Sequence, residues 1–159
     1  MDWVAQAPAL AVLDATDRAR LEPLAPVDLA PGAVLYRPGD PVRGYAIVLS
    51  GRIDVSLTGA SGREMLLYSV APGQSCIQTT LGLLGDTPYS AEAVAAGATR
   101  LVIVPRALFL SLLDSSAGFR GLVFDAFAQR MQTMMHLLEK VAFTRVETRL
   151  AEHLLALSA

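Results

Sequence analysis

The sequence predicts a mainly β domain with helices, in which an antiparallel sandwich or barrel is followed by a long helix that pairs with another helix. Between Val27 and Val104, short apolar stretches are separated by turn signals such as Pro31-Gly32 and Pro72-Gly73, which is typical of regularly spaced short strands. After Pro105 the hydrophobic period becomes helical. Apolar residues in that later part recur alternately three and four positions apart, which predicts a helix with a pairing seam.

The composition indicates one domain with apolar surface left for a partner. The chain has 159 residues, of which 53% are hydrophobic, and its mean hydropathy is +0.43; both values are high for an isolated chain. No apolar run reaches the roughly 18 residues that a membrane helix needs, and the start Met1-Asp2-Trp3 lacks the basic residues of a signal peptide. We therefore expect a cytoplasmic protein with no membrane partner.

Charge and chemistry-bearing residues exclude several functions. The net charge is −2 with no basic stripe, so the fragment itself is a poor nucleic-acid binder. A single cysteine, Cys76, excludes an intrachain disulfide and a four-cysteine cluster. The histidines, His136 and His153, both lie late in the chain, and no nucleophile-elbow or metal-ligand spacing occurs. We therefore expect neither an enzyme nor a metal site.

The elements follow in order. Residues 1–25 are predicted to form one or two short helices, because Leu10, Leu13 and Leu21 alternate with polar residues and Asp14 or Thr16 can cap a helix start. Residues 26–105 form the β unit. Within it the alternation of apolar residues predicts two strands, one with Tyr45, Ile47 and Leu49 and one with Ile53, Val55 and Leu57.

Residues 106–140 are predicted to form two helices. The first runs from Arg106 to Leu113, and Ser115 or Ser116 caps a longer one from about Ala117 to Lys140. The predicted seam of the longer helix consists of Phe124, Phe127, Met131, Met134, Leu138 and Val141. A second stripe, predicted to pack on the β unit, consists of Val123, Ala126, Thr133 and Leu137. The seam indicates a homodimer; packing within one chain is the alternative.

Four segments in this order resemble the sensor domain of the Crp/Fnr family of transcription regulators. Ser50–Val55 matches the family's turn and strand, and Gly62–Leu67 with Ala71–Gly73 matches its central hairpin and the following turn. Leu81–Leu84 through Tyr89–Ala91 matches its phosphate-binding cassette. Val141–Phe143 with Arg149–Leu155 matches its hinge and the first helix of its DNA-binding domain. The resemblance implies a jelly-roll-like barrel, an antiparallel double-stranded β-helix. It also implies that residues 141–159 lead into a helix-turn-helix that binds DNA and is absent here.

The same resemblance places a ligand site, and its residues do not suit a cyclic nucleotide. The family's acidic residue corresponds to Thr80, its phosphate-binding arginine to Tyr89, and its base-contacting hydroxyl pair to Met134 and Met135. A buried phosphate without its cation is strongly disfavoured, and Arg100 and Arg106 are expected away from the cassette. The candidate effector pocket consists of Cys76, Thr79, Thr80, Leu81, Tyr89, Ser90, Met131, Met134 and Met135.

The sequence allows three interpretations of this pocket: it binds a small apolar effector, it binds a haem, or its own side chains fill it. Cys76 is either a buried apolar side chain or a sensing thiol, and His136 is either solvated or a ligand. The expected function is effector sensing and dimerisation in a Crp/Fnr-type regulator that does not respond to cyclic AMP. The alternatives are a cyclic-nucleotide-binding regulatory module and a stand-alone dimeric interaction domain.

Overall fold

A computed structural model describes residues 2–158, leaving out the side chains of Val146 and Ser158. Two 3₁₀ helices, Val4–Gln6 and Pro8–Val12, precede the other elements. In chain order these are α1 (Ala15–Leu21), β1 (Val27–Leu29), β2 (Val34–Tyr36), β3 (Gly44–Ser50), β4 (Ile53–Thr58), β5 (Glu64–Val70), α2 (Ile77–Gly85), β6 (Glu92–Ala95), β7 (Thr99–Pro105), α3 (Arg106–Ser115) and α4 (Ala117–Ser158).

The strands form two antiparallel sheets, as the strand spacing predicts. One sheet has the order β1-β7-β3 and the other β2-β6-β4-β5. Inward side chains of both sheets, among them Val55, Val102 and Val104, are fully buried. Within residues 2–158 no strand pairing joins the two sheets, so the fold is mixed α/β with antiparallel sheets and the closed barrel is not confirmed.

Strand β3 is covered on both faces, so the predicted alternation describes only part of its burial. Tyr45 and Val48 are buried, whereas Ile47 and Leu49 are only half-buried. Ile47 and Leu49 nevertheless pack against the core. The pairing of β3 with β7 is regular from Gly44 to Val48 and shifts only between Val48 and Ser50.

The N-terminal helices close one end of the core. The Asp14 side chain accepts a hydrogen bond from the Asp17 backbone N–H at 2.8 Å, which is the cap that the sequence predicts for α1. Leu10, Leu13 and Leu21 are buried. The predicted helical character of residues 1–25 is therefore found in residues 4–21.

The boundary between α3 and α4 also follows the prediction. The Ser116 hydroxyl accepts a hydrogen bond from the Phe119 N–H at 3.1 Å and donates one to the Asp17 carboxylate at 2.5 Å. The ring of Phe109 lies between Tyr45 and Phe119, with ring centroids 5.1 and 5.7 Å apart. These contacts attach the start of α4 to the sheets and to α1.

The predicted end of the long helix at Lys140 is wrong. Helix α4 continues without a break through Val141–Phe143 to Ser158, because no Gly or Pro lies between residues 122 and 158 to interrupt it. The expected hinge is therefore straight in this structure. The assignment of residues 141–159 to a further domain stays a prediction.

The two apolar stripes of α4 are arranged differently from the prediction. Val123 is fully buried, but Thr133 and Leu137 of the stripe expected to pack on the sheets are exposed. Phe127 and Met134 of the expected seam are half-buried, and Met134 packs on the core. The reason is that α4 extends away from the sheets beyond Met134, where the described side chains of the helix are exposed.

No single helix within residues 2–158 has both the length and the apolar character to cross a membrane. Helices α3 and α4 reach those limits only when they are counted together across their 110° bend.

Candidate functional site

The site is built around α2, which contacts β3, α4 and the loop that joins β2 to β3. A Cβ atom at Gly82 would collide with the Val42 side chain and would come within 2.6 Å of the Thr87 carbonyl oxygen. Only glycine therefore lets α2 approach so closely. Asp86 ends the helix in the left-handed conformation, at φ 57°. Its carboxylate pairs with Arg106 at 3.0 Å, so the expectation that Arg106 lies away from the cassette is wrong.

Gln78 fills the position from which backbone N–H groups would hold an anion. Its side-chain oxygen accepts hydrogen bonds from the Ser90 N–H at 3.0 Å and from the Ala91 N–H at 3.2 Å. Paired backbone N–H groups are a common way to bind a phosphate oxygen. Here the chain's own amide satisfies them. The sequence analysis missed Gln78, because its partners lie 12 and 13 residues away and no motif connects them.

Tyr89 fills the place expected for a phosphate-binding cation. Its ring stacks on Tyr36, with centroids 3.5 Å apart and planes 7° from parallel. Its hydroxyl and that of Thr79 share a hydrogen bond of 2.9 Å. Two hydrogen bonds hold its backbone to the loop between β2 and β3. The Tyr89 carbonyl oxygen accepts from the Gly39 N–H, and the Tyr89 N–H donates to the Asp40 carbonyl oxygen. Burial raises the pKa of Tyr89 to about 12, although the Thr79 hydrogen bond partly offsets that effect.

Cys76 lies between two tyrosine hydroxyls. Its sulfur is 3.1 Å from the Tyr36 oxygen and 3.3 Å from the Tyr68 oxygen. Burial is the main cause that raises the pKa of both tyrosines, and the neighbouring thiol raises it further. Both phenols are therefore neutral at physiological pH and each shares a hydrogen bond with the sulfur. Cys76 is half-buried.

A cavity of about 430 Å³ opens between the two sheets. Of the candidate pocket residues, Cys76, Thr79 and Tyr89 line it. Most of the remaining wall is apolar and comes from both sheets. It is formed by Leu35, Tyr36, Pro41, Gly44, Ala46, Val48, Ile53, Val55, Val70 and Ile103, with Asp40 and Arg43 as the charged residues.

The other predicted pocket residues lie elsewhere. Thr80 is buried in α2, where its hydroxyl donates to the Cys76 carbonyl oxygen at 3.3 Å. Leu81 and Ser90 are exposed. The three methionines Met131, Met134 and Met135 do not line the cavity. Met134 packs on the core and the other two are exposed, because α4 has left the sheets at this point.

Arg130 of α4 reaches back to the site and was also missed by the sequence analysis. Its guanidinium donates to the Ser69 carbonyl oxygen at 2.8 Å and to the Ser75 carbonyl oxygen at 3.3 Å. Its central carbon lies 4.8 Å from the centroid of the Tyr68 ring. Arg130 therefore links the long helix to the turn before α2 and, through Tyr68, to Cys76.

The structure does not bring His136 to the cavity. Its side chain is 81% exposed and lies 3.7 Å from Glu139 one turn along α4. His153 is exposed as well. Among residues 2–158 no group of three or more His, Cys, Asp or Glu side chains is arranged to hold a metal ion. A Cys76–His136 ligand pair for a haem is therefore not assembled.

The domain therefore consists of two antiparallel sheets around a cavity, a short helix at the cavity edge and a long helix linked to that edge. The sequence model of the cyclic nucleotide-binding domain matches residues 26–116. The chain belongs to the cyclic nucleotide-binding domain family, and its resemblance to the sensor domains of Crp/Fnr regulators is confirmed.

Individual relatives differ in what they do. The chain is 41% identical over 80 residues to the acetyltransferase Pat of Mycolicibacterium smegmatis, an alignment that covers 48% of this chain and 23% of that protein. It is 26% identical over 135 residues to a CRP-like cAMP-activated global transcriptional regulator of Mycobacterium tuberculosis, covering 85% of this chain and 59% of that protein. The chain therefore spans less than two thirds of either relative.

A solved structure of the N-terminal domain of a transcriptional regulator from Streptomyces coelicolor A3(2) has the same fold. The TM-score is 0.61 at 25% identity, and the match covers 86% of this chain and 95% of that one. That domain corresponds in extent to almost the whole of the chain described here.

Proposed function

We propose that this chain is the effector-sensing and dimerisation domain of a Crp/Fnr-type regulator, and that its effector is not a cyclic nucleotide. The observation that carries the proposal is the double hydrogen bond from the Ser90 and Ala91 N–H groups to the Gln78 side chain. A phosphate at this place would have to displace that amide.

The neighbouring residues support the same conclusion. A bound cyclic phosphate needs an arginine and a ribose hydroxyl needs an acidic acceptor. Tyr89, stacked on Tyr36, stands where the arginine is expected. Thr80, which bonds to its own helix, stands where the acid is expected. Removing a phosphate from water without a paired cation costs about 3–5 kcal/mol.

The exposed apolar face of α4 supports a homodimer. Two residues of the expected seam, Phe127 and Met134, are half-buried within the single chain. The exposed stripe instead runs at spacings of four and three through Phe124, Ala128, Met131, Met135, Leu138 and Ala142. Such a repeat is self-complementary and suits the pairing of two copies.

The route from effector to helix follows the contacts around Cys76. An effector in the cavity touches Tyr36 and Cys76. Cys76 contacts Tyr68, and Tyr68 lies under Arg130 of α4. An effector shifts the pairing of two α4 helices only if it binds the two arrangements with different affinity.

We propose that the regulated DNA-binding domain belongs to a part of the protein outside these 159 residues. We also assign the protein to the cytoplasm, with no catalytic activity of its own.

Isothermal titration calorimetry with cyclic AMP and cyclic GMP tests the proposal on the 159-residue chain. We expect neither nucleotide to bind more tightly than about 1 mM, which corresponds to about 4 kcal/mol. Micromolar binding of either one would overturn the proposal.

A second candidate is a sensor domain that controls an attached enzyme. It is favoured by the 41% identity to the acetyltransferase Pat, whereas the longer alignment is with a transcriptional regulator. The sequence of the full gene product separates the two: a helix-turn-helix after residue 159 supports the regulator, and an acetyltransferase domain supports the enzyme.

A further inference from the structure

We propose that the cavity between the sheets binds a small amphipathic monocarboxylate, whose apolar part lies between the sheets and whose carboxylate pairs with Arg43. This inference rests on the proposed function and names the class of effector for the same site.

The size and the wall of the cavity define the apolar part. A volume of about 430 Å³ lies in the range of small-molecule sites, roughly 300–1,000 Å³. The wall between the sheets consists of the aliphatic side chains Leu35, Val48, Ile53, Val55, Val70 and Ile103. A hydrocarbon chain or ring is the chemistry that gains most from transfer into such a space.

Arg43 supplies the position for a negative charge. It is the only basic side chain among the described residues that line the cavity, and it is exposed at the edge. Its guanidinium makes no hydrogen bond or ion pair within residues 2–158, whereas Arg52, Arg100 and Arg106 each pair with a carboxylate. A planar guanidinium without a partner is suited to a carboxylate.

The backbone around Arg43 is held in place. The Arg43 carbonyl oxygen accepts a hydrogen bond from the Arg106 N–H at 2.9 Å, and Gly39 of the same loop donates to the Tyr89 carbonyl oxygen at 2.7 Å. The guanidinium is therefore attached to a fixed part of the cavity edge. This reduces the conformational entropy that a ligand must overcome on binding.

Asp40 of the same loop restricts the charge of the ligand. It also lines the cavity, and its carboxylate is held by the Arg37 backbone N–H at 2.9 Å. The charges of Asp40 and Arg43 cancel in the empty site. One negative charge on the ligand can pair with Arg43, whereas a doubly charged phosphate monoester meets repulsion from Asp40.

Calorimetry with octanoate and 1-octanol, which share their alkyl chain, tests the inference. We expect octanoate to bind the unaltered chain and Arg43→Gln to weaken it about fivefold, the upper end of the contribution of an exposed ion pair. Binding of 1-octanol should not change. Arg63→Gln serves as the matched control, because Arg63 is exposed in the turn between β4 and β5 and does not line the cavity. Added salt should weaken octanoate binding to the unaltered chain and not to the Arg43→Gln variant.

Several results would overturn the inference. Equal octanoate affinity in the unaltered chain and in Arg43→Gln would show that Arg43 does not pair with the carboxylate. Tighter binding of octyl phosphate than of octanoate would show that Asp40 does not exclude a doubly charged ligand. Leu35→Trp narrows the cavity and should weaken both probes; unchanged affinity would place them elsewhere, for example on α4. Absence of octanoate binding contradicts this inference alone, whereas cyclic-nucleotide binding or a monomeric chain contradicts the proposed function.

Discussion

Gln78 is the residue that most distinguishes the loop around Ser90 from an anion site, because its side chain accepts hydrogen bonds from two backbone N–H groups at once. Replacement by alanine removes the acceptor from both, and we expect Gln78→Ala to lower the free energy of unfolding by about 1–3 kcal/mol. Urea denaturation measures the change. Gln132→Ala is the control, since Gln132 is exposed on α4; an equal effect of the two substitutions would show that the Gln78 bonds contribute nothing.

The four tyrosines of the chain, Tyr36, Tyr45, Tyr68 and Tyr89, all have raised pKa values, mainly because burial disfavours the phenolate. The pKa is about 12 for Tyr45 and for Tyr89, against 10.0 for an ordinary tyrosine. Their contribution to stability is therefore complete below pH 10 and is lost as the pH rises through the folded-state values.

An absorbance titration of tyrosinate measures this effect. We expect no tyrosine to ionise near pH 10 in the folded chain, and ionisation at higher pH to accompany unfolding. The urea-unfolded chain is the control and should titrate near the ordinary value of about 10. A tyrosine that ionises reversibly near pH 10 without unfolding would contradict the described burial.

Residue-level prediction from the sequence succeeds where the partner is close in the chain. The Asp14 and Ser116 caps bond three residues ahead, and such local geometry is encoded by neighbouring residues. The prediction that Tyr89 and Thr80 stand in place of charged groups comes from a motif alignment and stays a prediction. Gln78 and Arg130 were missed, because their partners are up to 61 residues away and only the folded chain brings them together.

Helix α4 carries the proposed dimer seam, and Arg130 connects the helix to β5 and to the turn before α2. We expect Arg130→Gln to lower the free energy of unfolding by about 1–3 kcal/mol, since the carbonyl oxygens of Ser69 and Ser75 lose their charged donor. Arg130→Lys should recover only part, because an ammonium group lacks the planar fork that reaches both oxygens.

Thermal unfolding followed by circular dichroism measures these changes. Arg145→Gln is the matched control on the exposed part of α4, where Arg145 forms no hydrogen bond or ion pair within the described residues. If Arg130→Gln and Arg145→Gln unfold at the same temperature, the contact between α4 and the turn before α2 is not a stabilising one.

At the level of elements, periodicity predicts that α4 is apolar on more than one face but not which face meets the sheets. The spacing of Phe127 and Met134 fits both a seam and a core position. Their burial is decided by the direction in which α4 crosses the sheets, which depends on the contacts of Phe119 and Val123. The methionine-lined pocket was wrong for the same reason.

The whole molecule is proposed to be a dimer formed along Phe124, Met131, Met135 and Leu138, which are all exposed in the single chain. We expect Leu138→Glu to give a monomer, because two carboxylates would face each other across the seam. Leu137→Glu is the control: Leu137 is 50% exposed but lies about 100° round the helix from Leu138. Light scattering measures the mass.

A dimer also makes the melting temperature depend on protein concentration. We expect that dependence for the unaltered chain and for Leu137→Glu, and its loss in Leu138→Glu. A monomeric unaltered chain, or a Leu138→Glu variant that stays dimeric, would contradict the seam.

The account depends most on the anion position being filled by the chain itself, and the backbone amide resonances of Ser90 and Ala91 report directly on it. We predict that a ¹H–¹⁵N spectrum of the isotope-labelled chain shows both amides hydrogen-bonded and unshifted on addition of millimolar cyclic AMP. A shift of these two resonances that saturates with cyclic AMP would show that the nucleotide phosphate displaces Gln78, and would contradict the account.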